Sequence, residues 1–164
     1  MSGVLVWVDQ FRGAALPASW EAMGAGRMVA DALVVPLTGV VFGQGIDHAV
    51  AEAFRYGADR VVKSDDATLA DYRLEPYAAL LGKVVRDGGA DVVIAGGTTR
   101  GRELMAAAAA DVDAGFLPDV TELSIENGVL KAIRPAYAGK VLSTATADAG
   151  GVRFVTLRNR AFPR

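Results

Sequence analysis

The sequence predicts an α/β fold: a three-layer, Rossmann-like and mostly parallel sheet, with antiparallel strands late in the chain. Three observations carry this. Short apolar runs alternate with longer amphipathic or alanine-rich segments in the order βαβαβαβα. That order places helices on both faces of a parallel sheet, joined by right-handed crossovers. The runs at 4–9 and 92–95 are apolar almost throughout, as strands covered on both faces are. In the last third, Asn127-Gly128 separates two strand-like runs, and Asn-Gly is a strong hairpin signal.

The elements follow in order. Residues 4–9 form the first strand, with Asp9 at its carboxyl end, and 10–16 are a loop. Pro17 suits the first position of a helix running from 18 to about 33. Gly24 and Gly26 weaken that helix by about 1 kcal/mol each relative to alanine. Their expected use is close helix–sheet packing. Pro36 ends the helix, 37–42 form the second strand, and Gly43-Gln44-Gly45 is its exit loop. A helix over 46–56 carries Ile46, Val50, Ala53 and Phe54 on one stripe and stops at Gly57. Residues 59–63 are a short third strand, and 64–73 a polar loop. Glu75-Pro76 opens a helix whose apolar face is Tyr77, Leu80, Leu81, Val84 and Val85, closed by Gly88-Gly89.

The stretch 91–102 is the focus of the chain. A buried strand at 92–95 runs into Gly96 and Gly97, then Thr98, Thr99, Arg100, Gly101 and Arg102, with a helix-forming run to Ala110 behind. A strand that ends in glycines and feeds a helix is where open α/β sheets place their working surface. The helix start offers unpaired N–H groups and partial positive charge, which suit an anion. Loop 96–101 is therefore the candidate site for a nucleotide or a partner. The competing reading is that such a turn only packs a helix close to a strand.

Beyond it, 119–125 and 129–134 are the hairpin strands. Runs 140–147 and 152–157 are two more strands around a turn at 148–151, extending the sheet or folding over one end of it. Residues 158–164 are a basic tail. No internal repeat is present, so 1–164 is expected to be one domain.

Composition narrows the function. With 52% hydrophobic and 22% charged residues the chain is globular. A net charge of −2 argues against a general nucleic-acid binder. The absence of cysteine removes disulfides, thiolate catalysis and cysteine-ligated metals. No basic leader with a long apolar run opens the sequence, and no window approaches the roughly 20 apolar residues of a spanning helix. The expectation is a soluble, cytoplasmic protein.

No catalytic constellation stands out. His48 is the single histidine and cannot build a multi-histidine metal site. It is expected on a surface or in helix packing. Asp65 and Asp66 are sequence neighbours that point apart, and Asp111 and Asp113 are similarly weak. Nucleophile-elbow, Walker and first-strand Gly-x-Gly-x-x-Gly patterns are missing. Arg134, Arg153, Arg158 and Arg160 lie on or near the late strands, either facing a partner or anionic ligand or simply solvated.

A set of segments spread along the chain resembles one family. They are Leu-Pro-Ala-Ser-Trp-Glu-Ala (16–22), Tyr-Gly-Ala-Asp-Arg-Val (56–61), Leu-Glu-Pro-Tyr-Ala-Ala-Leu-Leu (74–81) and Ala-Gly-Gly-Thr-Thr-Arg-Gly-Arg-Glu-Leu (95–104). Asp-Ala-Gly-Phe-Leu-Pro-Asp-Val-Thr (113–121), Arg-Pro-Ala-Tyr-Ala-Gly-Lys (134–140) and Arg-Asn-Arg-Ala-Phe-Pro (158–163) complete it. Together they are similar to the amino-terminal domain of the electron-transfer flavoprotein alpha subunit. The resemblance implies an adenine nucleotide alpha hydrolase-like fold and a beta-type partner subunit of similar fold. It also implies FAD-mediated electron transfer in the complex, without catalysis by this chain. The family's FAD-holding domain lies beyond the matched region, so FAD is expected not to be held by this chain alone. Alternatives are a stand-alone adenine-nucleotide binder taking AMP at loop 96–101, and a homo-oligomer without ligand.

Overall fold

The computed structural model describes residues 3–146 and 151–164. A six-stranded parallel sheet lies at the centre, in the order β5-β4-β1-β6-β11-β7. β1 (Val4–Trp7), β4 (Leu37–Gly43), β6 (Val92–Gly96) and β11 (Arg153–Leu157) are buried along their whole length, which explains their mostly apolar sequences; Thr38, Arg153 and Thr156 are the buried polar exceptions. Side chains alternate between faces. Val4, Val6, Leu37, Val41, Val92, Ile94 and Val155 pack under α1 (Pro17–Leu33) and α2 (Asp47–Arg55). Leu5, Trp7, Val40, Phe42, Val93, Ala95 and Phe154 pack under α3 (Leu74–Gly88) and α4 (Thr99–Asp111). The expected three-layer α/β architecture is present.

Local chemistry sets the helix ends. Pro17 opens α1. The helix ends at Leu33, as expected, and its cap Val34 is left-handed (φ 57°) and bonds back to Ala30 and Asp31. Gly26 lets α1 approach the sheet, since a Cβ there would lie 2.6 Å from Val6. Gly24 does something else: it faces the carboxyl-terminal tail, where a Cβ would lie 2.5 Å from the Pro163 carbonyl. Gly89 caps α3 with φ 65°. On α2 the inward residues are Ile46, Ala49 and Ala53, and Phe54 is half exposed rather than on the buried stripe. One step along a helix turns a side chain by about 100°.

Other expectations change in detail. The loop over 10–16 contains a two-residue hairpin, β2 (Gln10–Phe11) with β3 (Ala14–Ala15). β5 (Arg60–Asp65) starts after Asp59 and includes Asp65. The run expected as one strand over 119–125 is two strands. β7 (Gly115–Val120) joins the edge of the parallel sheet, and β8 (Glu122–Glu126) starts a separate antiparallel sheet in the order β10-β9-β8. Asp119 is left-handed (φ 60°) next to this break.

The hairpin at Asn127-Gly128 is as expected, with φ of 52° and 76°, and leads into β9 (Val129–Ala136). β10 (Val141–Thr146) pairs antiparallel with β9. The end of the expected 140–147 strand at Ala147, and the turn as far as Gly150, lie outside the described residues. The last expected strand does join the main sheet, though not at its edge. β11 inserts between β6 and β7, parallel to both. Leu123, Leu130 and Ala132 of the small sheet join the core on the α1 side.

Candidate functional site

β1 and β6 are neighbours, but the chain travels outward from β1 through β4 to β5 before returning to β6. That makes the gap at their carboxyl ends the switch point, the usual place for a site in an open α/β sheet. The parallel register pairs Trp7 with Ala95. It brings Asp9, just beyond β1, alongside loop 96–101, just beyond β6.

Asp9 is 2% exposed. Thr98 Oγ1 donates to Asp9 Oδ2 at 2.7 Å and accepts from the Gly101 amide at 2.9 Å, so Thr98 also caps α4. Arg100 Nη2 lies 2.9 Å from Asp9 Oδ1. The contact is an ion pair without hydrogen-bond alignment, because Asp9 Oδ1 has no hydrogen-bond donor. The Asp9 backbone is fixed too: its carbonyl accepts from Ser19 Oγ at 2.9 Å and from the Leu16 amide at 2.8 Å. Burial pushes the Asp9 carboxyl above its ordinary value, and the Thr98 bond and Arg100 charge pull it back in part.

The three glycines are explained by close packing. A Cβ at Gly96 would lie 2.7 Å from that of Ala18, at Gly97 2.3 Å from the Leu157 carbonyl, and at Gly101 2.3 Å from the Gly96 carbonyl. Thr99 and Arg102 are exposed, and Arg100 is half-buried. The structure brings Thr98 and Arg100 of loop 96–101 together on a residue of the first strand's exit, Asp9. The anion at the start of α4 is the protein's own carboxylate.

Beside it is a cavity of about 50 Å³ walled by Trp7, Asp9, Phe42, Tyr72, Tyr77 and Arg100. The Arg100 guanidinium lies 5.9 Å from the Tyr72 ring centroid. Tyr72 donates to Glu103 at 3.1 Å and Tyr77 to the Leu69 carbonyl at 2.7 Å. Both phenols are raised above the ordinary tyrosine value, chiefly by burial. Trp7 Nε1 is buried without a partner. A donor and an acceptor left open beside a space of this size suit a few water molecules. Sequence reasoning missed Trp7, although its place two before Asp9 on the same strand face was a usable signal. Tyr72 had no signal, because it sits in a polar loop.

The other candidates are held elsewhere. His48 is exposed beside Glu52, at 3.3 Å. Asp65 accepts from the Gly45 amide at 2.8 Å, tying down the loop after β4, and Asp66 accepts from Thr68. Arg158 forms a two-pronged contact with Asp119, at 3.0 and 2.7 Å. The Arg160 amide donates to Glu21 at 2.7 Å. Arg153 is buried and Arg134 half-buried. Among the described residues no cluster of His, Asp or Glu suits a metal ion, and no helix is long and apolar enough to cross a membrane.

Comparison with known proteins places these features. A family profile described as the electron transfer flavoprotein domain matches residues 4–164. The chain is 40% identical to Protein FixB of Azorhizobium caulinodans over 164 residues, covering 98% of this chain and 44% of that protein. It is 30% identical to the electron transfer flavoprotein subunit alpha of Clostridium acetobutylicum, covering 99% of this chain and 49% of that protein. It is also 30% identical to the lactate dehydrogenase (NAD(+),ferredoxin) subunit LctC of Acetobacterium woodii, covering 98% of this chain and 38% of that protein. The chain thus spans less than half the length of these relatives.

Proposed function

This chain belongs to the electron transfer flavoprotein family, and on that premise we propose that it is an alpha-type amino-terminal domain, spanning 1–164, that docks a beta-type subunit. In this reading it is a scaffold for flavin-mediated electron transfer and performs no catalysis itself. The observation that carries it is the match along 4–164, repeated in relatives named FixB and electron transfer flavoprotein subunit alpha.

The site geometry supports a scaffold over a stand-alone nucleotide binder. Thr98 and Arg100, the donors of loop 96–101, already face Asp9. The cavity beside them, about 50 Å³, is far below the roughly 300–1,000 Å³ of small-molecule sites. An isoalloxazine ring does not fit that cavity, and in this reading the flavin is held elsewhere in the complex.

Co-expression with a beta-type subunit tests the reading. The expected result is a stable one-to-one complex, with the isolated chain colourless. Stoichiometric, reducible flavin on the isolated chain would overturn it. So would micromolar AMP, ATP or FAD binding to the chain alone in calorimetry, equivalent to about −8 kcal/mol.

A further inference from the structure

β5 is covered on one face only. α2 packs on β4 and β5 from one side, and there Lys63 pairs with Asp47 at 2.6 Å. On the other side α3 lies beside α4, and Val62 in the middle of β5 stays 40% exposed. The space between is a groove of about 590 Å³, within the roughly 300–1,000 Å³ of small-molecule sites.

The parallel register orders the groove floor in rows. Leu5, Thr38 and Arg60 share the first, Val62 lies in the second, and Phe42 and Ser64 share the third. The wall is Leu80, Lys83, Val84 and Asp87, spaced as one face of α3. α3 connects the carboxyl end of β5 to the amino end of β6, so its last turns stand at the Arg60 end. Charge is therefore gathered at that end, and the other is walled by Phe42, Val62 and Leu80. Lys83 and Asp87 offset each other at 2.7 Å. Arg60 makes no ion pair among the described residues, so its positive charge is uncompensated.

We propose that this groove binds a small amphipathic anion, with its carboxylate at Arg60 and an unbranched apolar chain laid over Val62 towards Phe42. Charge and length select the occupant. A carboxylate pairs with the guanidinium in a charge-assisted contact, and the Thr38 hydroxyl in the same row can donate to it as well. A cation would meet Arg60 as a like charge. From Arg60 to Ser64 is about 13 Å of strand, a span that an extended decanoate matches.

This inference does not depend on the beta-type docking proposed above. Amide NMR titration of the chain with decanoate, from micromolar to millimolar concentration, tests it. The expected result is saturable one-to-one binding, with shifts confined to 38–42, 60–64 and 80–88. Arg60→Gln is expected to weaken decanoate by about tenfold, as loss of one charge-assisted contact should, and to leave the weaker binding of decanol unchanged. Val62→Trp, which fills the groove from the exposed edge strand, is expected to weaken both. No saturable binding, decyltrimethylammonium binding as tightly as decanoate, an Arg60→Gln variant that binds decanoate like the parent, or displacement of decanoate by a beta-type subunit would each overturn the proposal.

Discussion

Thr98 and Asp9, 89 residues apart in sequence, are joined by a 2.7 Å hydrogen bond that ties the carboxyl ends of β6 and β1 together. The same hydroxyl accepts the Gly101 amide, so one side chain serves both the sheet and the start of α4. It also gives Oδ2 of a buried carboxylate a hydrogen bond, which offsets part of the cost of burial.

Thr98→Val removes both bonds. Losing the cap costs about 1 kcal/mol, and stranding a buried acceptor about 1–3 kcal/mol more. Urea denaturation is expected to show about 2–4 kcal/mol of destabilisation. Thr99→Val, one position on and exposed, is expected to stay within about 0.5 kcal/mol of the parent. Equal effects would remove Thr98 from this role.

Stability against pH separates Asp9 from Asp59. Burial raises Asp9 above 3.8, so the folded state holds that proton more tightly than the unfolded chain. Its contribution is therefore greatest at low pH and declines as pH rises through the window above 3.8. Asp59 is lowered, first by the Leu37 amide and then by Arg27. Its contribution is present above 3.8 and is lost as pH falls below that value. Urea midpoints measured across this range should lose the first slope in Asp9→Asn and the second in Asp59→Asn. The opposite assignment would show the environments to be misread.

Gly97→Ala and Gly101→Ala are expected to destabilise by about 1–3 kcal/mol, because each new methyl meets a backbone carbonyl. Gly88→Ala is the internal contrast. It lies at the end of α3 with open space around it, and is expected to gain up to about 1 kcal/mol from helix propensity. Thermal melts of the three variants decide this.

Val34→Gly is expected to stabilise by about 1 kcal/mol. Val34 is 90% exposed and holds φ 57°, a left-handed conformation that a β-branched residue adopts only under strain. An unchanged or lowered melting temperature would contradict that.

Gly24→Ala adds helix propensity to α1, about 1 kcal/mol, but its methyl would lie 2.5 Å from the Pro163 carbonyl. The tail beyond β11 is expected to lift while the domain stays folded. Tryptic cleavage after Arg158 or Arg160 should then be faster than in the parent. Cleavage at the parental rate would mean that the tail does not depend on this glycine.

Much of this was legible from local pattern. Mostly apolar runs marked β1, β4 and β6 as interior strands, Asn127-Gly128 marked a turn, and the glycines with Thr98 and Arg100 marked the loop that meets Asp9. Spatial order was not legible. Nothing in Phe-Val-Thr-Leu says that β11 inserts between β6 and β7, because parallel neighbours are chosen by the whole sheet. The break before β8 was hidden by strand-like residues on both sides of Thr121. Asp9 was read as the end of a strand, but its capture of Thr98 and Arg100 depends on a register between segments far apart. The folding of Tyr72 over Arg100 depends on the same long-range placement.

The central position of β11 also bears on synthesis. While the ribosome has made only residues up to about 150, β6 has no partner on that side and β7 has nowhere to attach. An apolar seam stays open until residues 153–157 leave the exit tunnel. Until then the nascent chain is a ready target for chaperones and for wrong pairing, and the parallel sheet closes in a single late step.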